Sequence, residues 1–217
     1  MVQNQETNDP FTLTDWLRSV GKVVLEPIAG LLNRLGLTPN TMTILGLVGN
    51  TIGAYFLWQG NMLVGGLIIL VMGPIDALDG TMARLRGEPS KFGAFVDSVT
   101  DRYSELVIFL GLLLYYNGLD DPNAWVNILG VYLAAAGSVL VSYVRARAQS
   151  LGYEAKVGIL TRVERYAVLA PSLIFNIPWI GVWIIAILAN ITAVQRILFV
   201  RKLVHAEVAA GNSAKQE

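Results

Sequence analysis

The sequence contains no cysteine and a single histidine, His205. Disulfides, thiolate metal sites and cysteine nucleophiles are therefore excluded. Histidine acid–base chemistry would have to come from one residue in a polar C-terminal stretch. Charge is scarce as well: Asp, Glu, Lys and Arg make up 15% of the 217 residues, in a balance of 16 basic and 16 acidic side chains. A soluble domain carries about a quarter charged residues, and zero net charge gives no bulk field to attract nucleic acid. The first ten residues, MVQNQETNDP, lack the basic start and apolar core of a signal peptide. The chemistry left to such a chain is that of carboxylates, arginines and metal ions.

Apolar side chains, at 54%, are abundant and arranged in long runs. Runs of this kind predict an all-α, polytopic membrane protein. Six segments are expected to span the bilayer, at about 39–59, 62–84, 90–117, 123–148, 160–176 and 178–200. Brief connections carrying turn residues separate them, at Gln59-Gly60, Asn117-Gly118, Asp121-Pro122 and Asn176-Ile177-Pro178. Ahead of them, residues 11–36 place Leu13, Trp16, Leu17, Val20, Val24, Ile28, Leu31 and Leu35 at helical spacing, with Arg18, Lys22, Glu26 and Arg34 largely opposite. That pattern predicts an amphipathic helix lying on the membrane surface. The expected organisation is a disordered stretch at 1–10, this helix at 11–36, one six-helix domain at 37–203 and a polar tail at 204–217. With the N-terminus inside, no lysine or arginine falls in the three outer connections, so the positive-inside rule puts both termini in the cytoplasm.

Charges deep in a membrane protein cost several kcal/mol unless paired, hydrated or metal-bound. Yet the inner end of the second span and the inner half of the third contain Asp76, Asp79, Asp97 and Asp101. Asp76, Asp79 and Ala83 share one helix face, as do Gly93, Asp97 and Asp101, and a short connection brings the two faces together. Converging carboxylates repel unless cations intervene, and oxygen-only ligands favour hard ions such as Mg²⁺, Mn²⁺ or Ca²⁺. Gly80 and Gly93 leave room for a ligand or a neighbouring backbone. The competing expectation is that these aspartates pair with Arg84, Arg86 and Arg102 at a solvated helix end. A cation transporter also buries carboxylates, but such folds often carry inverted repeats, and no repeat is evident here.

Residues 76–101 read DALDGTMARLRGEPSKFGAFVDSVTD. They resemble the signature of the CDP-alcohol phosphotransferase family, D-x2-D-G-x2-A-R-x8-G-x3-D-x3-D, with Asp76, Asp79, Gly80, Ala83, Arg84, Gly93, Asp97 and Asp101 at every fixed position. The resemblance implies a reaction in which an alcohol hydroxyl attacks the lipid-side phosphorus of a CDP-linked donor and CMP leaves. It implies one or two divalent cations, Mg²⁺ or Mn²⁺, held by Asp76, Asp79, Asp97 and Asp101, with Asp101 as general base. It assigns Gly80, Ala83, Arg84 and Gly93 to the CDP-lipid site, and it implies a homodimer.

A second cluster bears on the acceptor. Arg145, Arg147, Arg162, Arg165 and Arg196 would all face the same side as the aspartates, and arginines converging on a cavity suit a phosphate monoester. The blocks SYVRARAQSLG (142–152) and LTRVERYAV (160–168) are similar to stretches of bacterial phosphatidylinositol phosphate synthases. That resemblance implies CDP-diacylglycerol as donor and inositol 1-phosphate as acceptor, with the phosphate on Arg145, Arg162, Arg165 and Arg196. Subfamily members can carry lysine at the position of Arg145. Glycerol 3-phosphate as acceptor, or an ether-lipid donor, would use the same chemistry, and ordinary anchoring to anionic headgroups remains the other use for such arginines.

Overall fold

The computed structural model describes residues 13–87 and 90–213, with side-chain surroundings for 24–87 and 90–209. The expected polar stretch at 1–10 lies outside the described residues, as do the side chains of the first half of the expected amphipathic helix. Among the described residues there is no strand, and seven helices follow in order: α1 (Leu13–Arg34), α2 (Pro39–Trp58), α3 (Met62–Leu85), α4 (Lys91–Asn117), α5 (Ala124–Ser150), α6 (Arg162–Ile174) and α7 (Pro178–Ser213).

Local chemistry explains these boundaries. Thr38 caps α2 by accepting a hydrogen bond from the Thr41 amide, and Pro39 supplies a preset φ at the first helical position. Asn61 caps α3 through Val64 N, and Ser90 caps α4 through Gly93 N at 2.8 Å. At the start of α6 the Thr161 amide donates to the Glu164 carboxylate, as in a capping box. Asn176 takes a left-handed φ of 58° after α6, so the chain turns and Pro178 opens α7.

Four helices, α2, α3, α5 and α7, are both long and apolar enough to cross a membrane. The 27-residue α4 has the length but carries Asp97, Asp101, Arg102 and Glu105. The 13-residue α6, about 20 Å long, is shorter than the roughly 30 Å hydrocarbon core. The outer surfaces of the helices are apolar: Ile44, Val48, Leu67, Leu110, Leu129 and Ile187 are among many large hydrophobic side chains left exposed. A contiguous apolar exterior of this extent belongs against lipid.

Inside, α2 packs on α3 and α4, α5 packs on α7 and α4, and α6 bridges α3 to α7. Leu57, Ile69, Ile108, Leu112, Leu173 and Ile185 belong to the main buried cluster. The α2–α4 approach depends on Gly111, where a Cβ would stand 2.4 Å from the Ala54 carbonyl oxygen. On α1, Ala29 is fully buried with Leu25 and Leu32 against Leu78 and Met82 of α3, while Val24, Ile28, Leu31 and Leu35 of the expected apolar stripe point outward. Arg86 fastens this corner by donating to Asn33 Oδ1 at 2.7 Å and to the Leu37 carbonyl, and Asn33 in turn donates to the Met82 carbonyl. Finally, α7 runs on to Ser213, through most of the stretch expected as a polar tail.

Candidate active site

The two acidic faces meet as the spacing predicts. Asp76 and Asp79 on α3 are buried, at 3% and 5% exposure. Asp97 and Asp101 project from the facing part of α4. Asp76 and Asp97 each lie within electrostatic reach of the other three carboxylates. Asp79 is oriented by two donors, the Thr43 hydroxyl on its Oδ2 at 2.6 Å and the Gly80 amide on its Oδ1 at 2.5 Å. Asp76 is backed by Gly46 of α2, where a Cβ would come within 2.9 Å of Asp76 Oδ1.

The site's cationic partner comes from α6. Arg162 Nη2 donates to Asp76 Oδ2, and Arg162 Nη1 lies 2.6 Å from Asp101 Oδ1. Its guanidinium also sits 5.3 Å from the centre of the Tyr166 ring. Asp101 Oδ2 meets Arg102 Nη1 at 3.3 Å. Part of the expected pairing with neighbouring arginines is thus present through Arg102, whereas Arg84 folds along its own helix to Thr81 and Arg86 is committed to Asn33 and Leu37.

The carboxylates fit a hard divalent cation in chemistry. Every donor is an oxygen, and Asp76 Oδ1 is a buried carboxylate oxygen with no hydrogen-bond partner among the described residues. Among those residues no three carboxylates close on a common ion position. The guanidinium of Arg162 stands between Asp76 and Asp101 and neutralises part of their charge.

The residues assigned to the CDP-lipid site lie beside this cluster. A Cβ at Gly80 would stand 3.5 Å from Arg84 Nη1, and one at Gly93 would meet Ser90 Oγ at 2.9 Å. Ala83 sits half-buried on the same face of α3 as Asp76 and Asp79.

The four arginines expected to hold the acceptor phosphate are differently placed. Arg165 is buried and holds Glu105 through three hydrogen bonds, Nε and Nη2 to Oε1 at 2.9 and 2.7 Å and Nη2 to Oε2 at 2.9 Å. Arg196 is equally buried and donates to the Val157 carbonyl at 2.9 Å and the Val141 carbonyl at 2.7 Å. From α7 it therefore ties the 151–161 connection to α5, and Leu160 N, donating to Thr192 Oγ1, ties the connection to α7 itself. Arg145 is exposed at the end of α5, and its charge and that of Arg165 both act on Arg196. Arg145, Arg165 and Arg196 are therefore one electrostatic group, while Arg162 is engaged by the aspartates.

Sequence reasoning missed Glu105 and Thr43. Glu105 continues the stripe of Gly93, Asp97 and Asp101 by one more step of four, which was a usable signal. Thr43 carried none, because only the α2–α3 packing register brings it to Asp79.

Comparison with known proteins identifies the family. The family model for CDP-alcohol phosphatidyltransferase matches residues 36–207. The archaetidylinositol phosphate synthase of Pyrococcus horikoshii is 38% identical over 86% of this chain and 95% of its own length. The phosphatidylinositol phosphate synthase of Streptomyces avermitilis is 35% identical, over 88% of this chain and 83% of its own. Crystal structures of the Mycobacterium tuberculosis phosphatidylinositol phosphate synthase superpose with TM-scores of 0.75, for the form with CDP-DAG bound, and 0.74, for the complex with manganese and citrate. The first is 30% identical and is matched over 82% of this chain and 93% of that one; the second is 31% identical, over 81% and 88%. A family model over most of the chain, placed on the helices that carry the four aspartates, leaves one assignment: this protein belongs to the CDP-alcohol phosphatidyltransferase family.

Proposed function

We propose that this chain is an integral membrane enzyme that transfers the phosphatidyl group of CDP-diacylglycerol to inositol 1-phosphate, releasing CMP and forming phosphatidylinositol phosphate. The observation that carries this reading is the junction on α4 and α6. A cluster of four carboxylates stands against the group of Arg145, Arg165 and Arg196, with Arg162 on the acids and Glu105 on Arg165 at the junction. One half suits a pyrophosphate held through cations, and the other suits a phosphomonoester.

In this reading Asp76, Asp79, Asp97 and Asp101 hold one or two Mg²⁺ or Mn²⁺ ions. Such ions, when bound, neutralise the pyrophosphate and stabilise charge on the departing CMP. Thr43 and the Gly80 amide fix the orientation of Asp79. Gly80, Ala83 and Gly93 leave space for the CMP moiety, and Arg84 faces its phosphates. Asp101 takes the proton of the attacking hydroxyl. Arg145, Arg165 and Arg196 orient the acceptor phosphate.

The same reading assigns six spans, α2 to α7, with α4 carrying its charges on the protein-facing side and α6 reaching only part of the bilayer. The lysines and arginines of the sequence fall at or near the active-site end of the bundle, and by the positive-inside rule this supports a cytoplasmic active site, with the segments before α2 and after α7 on the same side. The outward side chains Val24, Ile28, Leu31 and Leu35 support α1 as an interfacial helix. A homodimer is the expected assembly.

Purified protein in lipid vesicles tests the assignment. With Mn²⁺, CMP release from CDP-diacylglycerol should require inositol 1-phosphate and should not occur with free inositol, glycerol 3-phosphate or serine. Release with glycerol 3-phosphate alone would refute the acceptor and keep the chemistry. An ether-lipid donor is the second reading, supported by the 38% identity to the archaetidylinositol phosphate synthase. Faster turnover of a CDP-linked diether than of CDP-diacylglycerol would establish it.

A further inference from the structure

Two ion-pair rungs join α4 to α6. Asp101 meets Arg162, and Glu105, one turn further along α4, meets Arg165, one turn further along α6. The two rungs advance in the same direction along the chain, by four residues on α4 and three on α6, about one turn on each side.

The rungs differ in how firmly they are closed. The Glu105–Arg165 rung has both side chains almost without solvent, at 6% and 3% exposure, and three hydrogen bonds. Its Arg165 Nη1 also reaches the Leu160 carbonyl. The Arg162 rung is looser. Its side chain is 26% exposed, and Arg162 Nε has no hydrogen-bond partner among the described residues. Asp101 Oδ1, though 2.6 Å from Nη1, lacks hydrogen-bond geometry to it. Arg162 also contacts Asp76 on α3, so one guanidinium neutralises carboxylates of two helices.

We propose that Arg162 is the site's own exchangeable counter-cation, pairing with Asp76 and Asp101 when no divalent ion is bound and yielding them when one binds, while the Glu105–Arg165 rung holds α6 in register. This rests on the reading of the four aspartates as metal ligands. Like charges repel at close range, and Arg162 already sits on Asp76 Oδ2 and beside Asp101 Oδ1, so an ion that draws on both carboxylates competes with Arg162. Four acids gathered in one cluster without any cation would repel one another, and Arg162 removes that cost in the metal-free protein. Its release places a cation beside the other arginines, which makes metal binding and phosphomonoester binding mutually favourable.

The test is Mn²⁺ binding to the full-length protein in nanodiscs, without donor or acceptor, read as loss of the free Mn²⁺ electron paramagnetic resonance signal. A paired form making up about nine-tenths of the metal-free protein weakens apparent affinity about tenfold. Arg162→Gln should therefore bind Mn²⁺ about tenfold more tightly than wild type. Arg162→Lys keeps the charge but cannot bridge two carboxylates, so it should fall between them, and it provides the readout if the glutamine variant does not fold. Affinity equal to or weaker than wild type in the folded variants would overturn the proposal while leaving the metal site standing. Failure of wild type and variants alike to bind Mn²⁺ would instead overturn the metal reading, and this inference with it.

Discussion

Replacing Glu105 with glutamine keeps the shape of the side chain but strands the charge of Arg165 in a place with almost no solvent. Arg165 is 2% exposed, and three of its hydrogen bonds end on the Glu105 carboxylate. Removing one partner of a buried pair costs about 3–5 kcal/mol, because the remaining charge stays desolvated. For a domain of this size each kcal/mol corresponds to roughly 2–4 °C in melting temperature, so Glu105→Gln should melt on the order of 10 °C below wild type in detergent. The double variant Glu105→Leu with Arg165→Met replaces the pair by apolar groups of similar volume and should recover most of that loss. It should nevertheless lack activity, since Arg165 is assigned to the acceptor phosphate. The measurement is thermal unfolding by intrinsic tryptophan fluorescence alongside turnover. A single variant as stable as wild type would refute the burial argument. A double variant no more stable than the single would refute the claim that the stranded charge causes the loss.

Asp97→Asn should abolish CMP release while leaving a monodisperse membrane protein; near-normal turnover would remove Asp97 from the metal set. Arg165→Ala should raise the KM for inositol 1-phosphate much more than the KM for CDP-diacylglycerol, and an equal rise in both would take Arg165 out of the acceptor pocket. Thr43→Val removes the 2.6 Å hydrogen bond that orients Asp79. Loss of such an outer partner typically costs about 10–100-fold in metal affinity, so titration of activity with Mn²⁺ should shift by at least about tenfold, and an unshifted curve would show that Asp79 orients without it. Gly111→Leu places a side chain where even a Cβ would meet the Ala54 carbonyl oxygen at 2.4 Å. It should sharply reduce the yield of folded protein, and normal yield and melting would mean that α2 and α4 can part at little cost.

The positions of the helices were legible because lipid-facing and buried residues alike are apolar, so each span is a run bounded by turn residues. In the structure, Asn61, Ser90 and Thr161 stand at the N-caps of α3, α4 and α6, starts that hydropathy alone leaves open. The end of α7 was less legible: Arg201, Lys202 and His205 close the apolar pattern, but none of them breaks a helix, and the first glycine after Gly181 is Gly211. Asp76, Asp79, Asp97 and Asp101 stood out because acids at helical spacing inside apolar runs have no structural use without cations. Their partners did not. Arg162 lies 86 residues from Asp76 and Arg165 lies 60 from Glu105, and no local pattern encodes how α6 registers against α3 and α4. The sequence therefore showed a set of arginines facing the acids, while their division among Asp76, Glu105 and the 151–161 connection is a product of packing.

The most direct test of the account is the stoichiometry of transfer. Wild-type protein in vesicles containing CDP-diacylglycerol, supplied with Mn²⁺ and inositol carrying a radiolabelled phosphate, should release one CMP for each labelled phosphate that enters the lipid phase. Neither event should occur after chelation of the metal. CMP release without labelled lipid, or transfer that persists in the absence of any divalent cation, would contradict it.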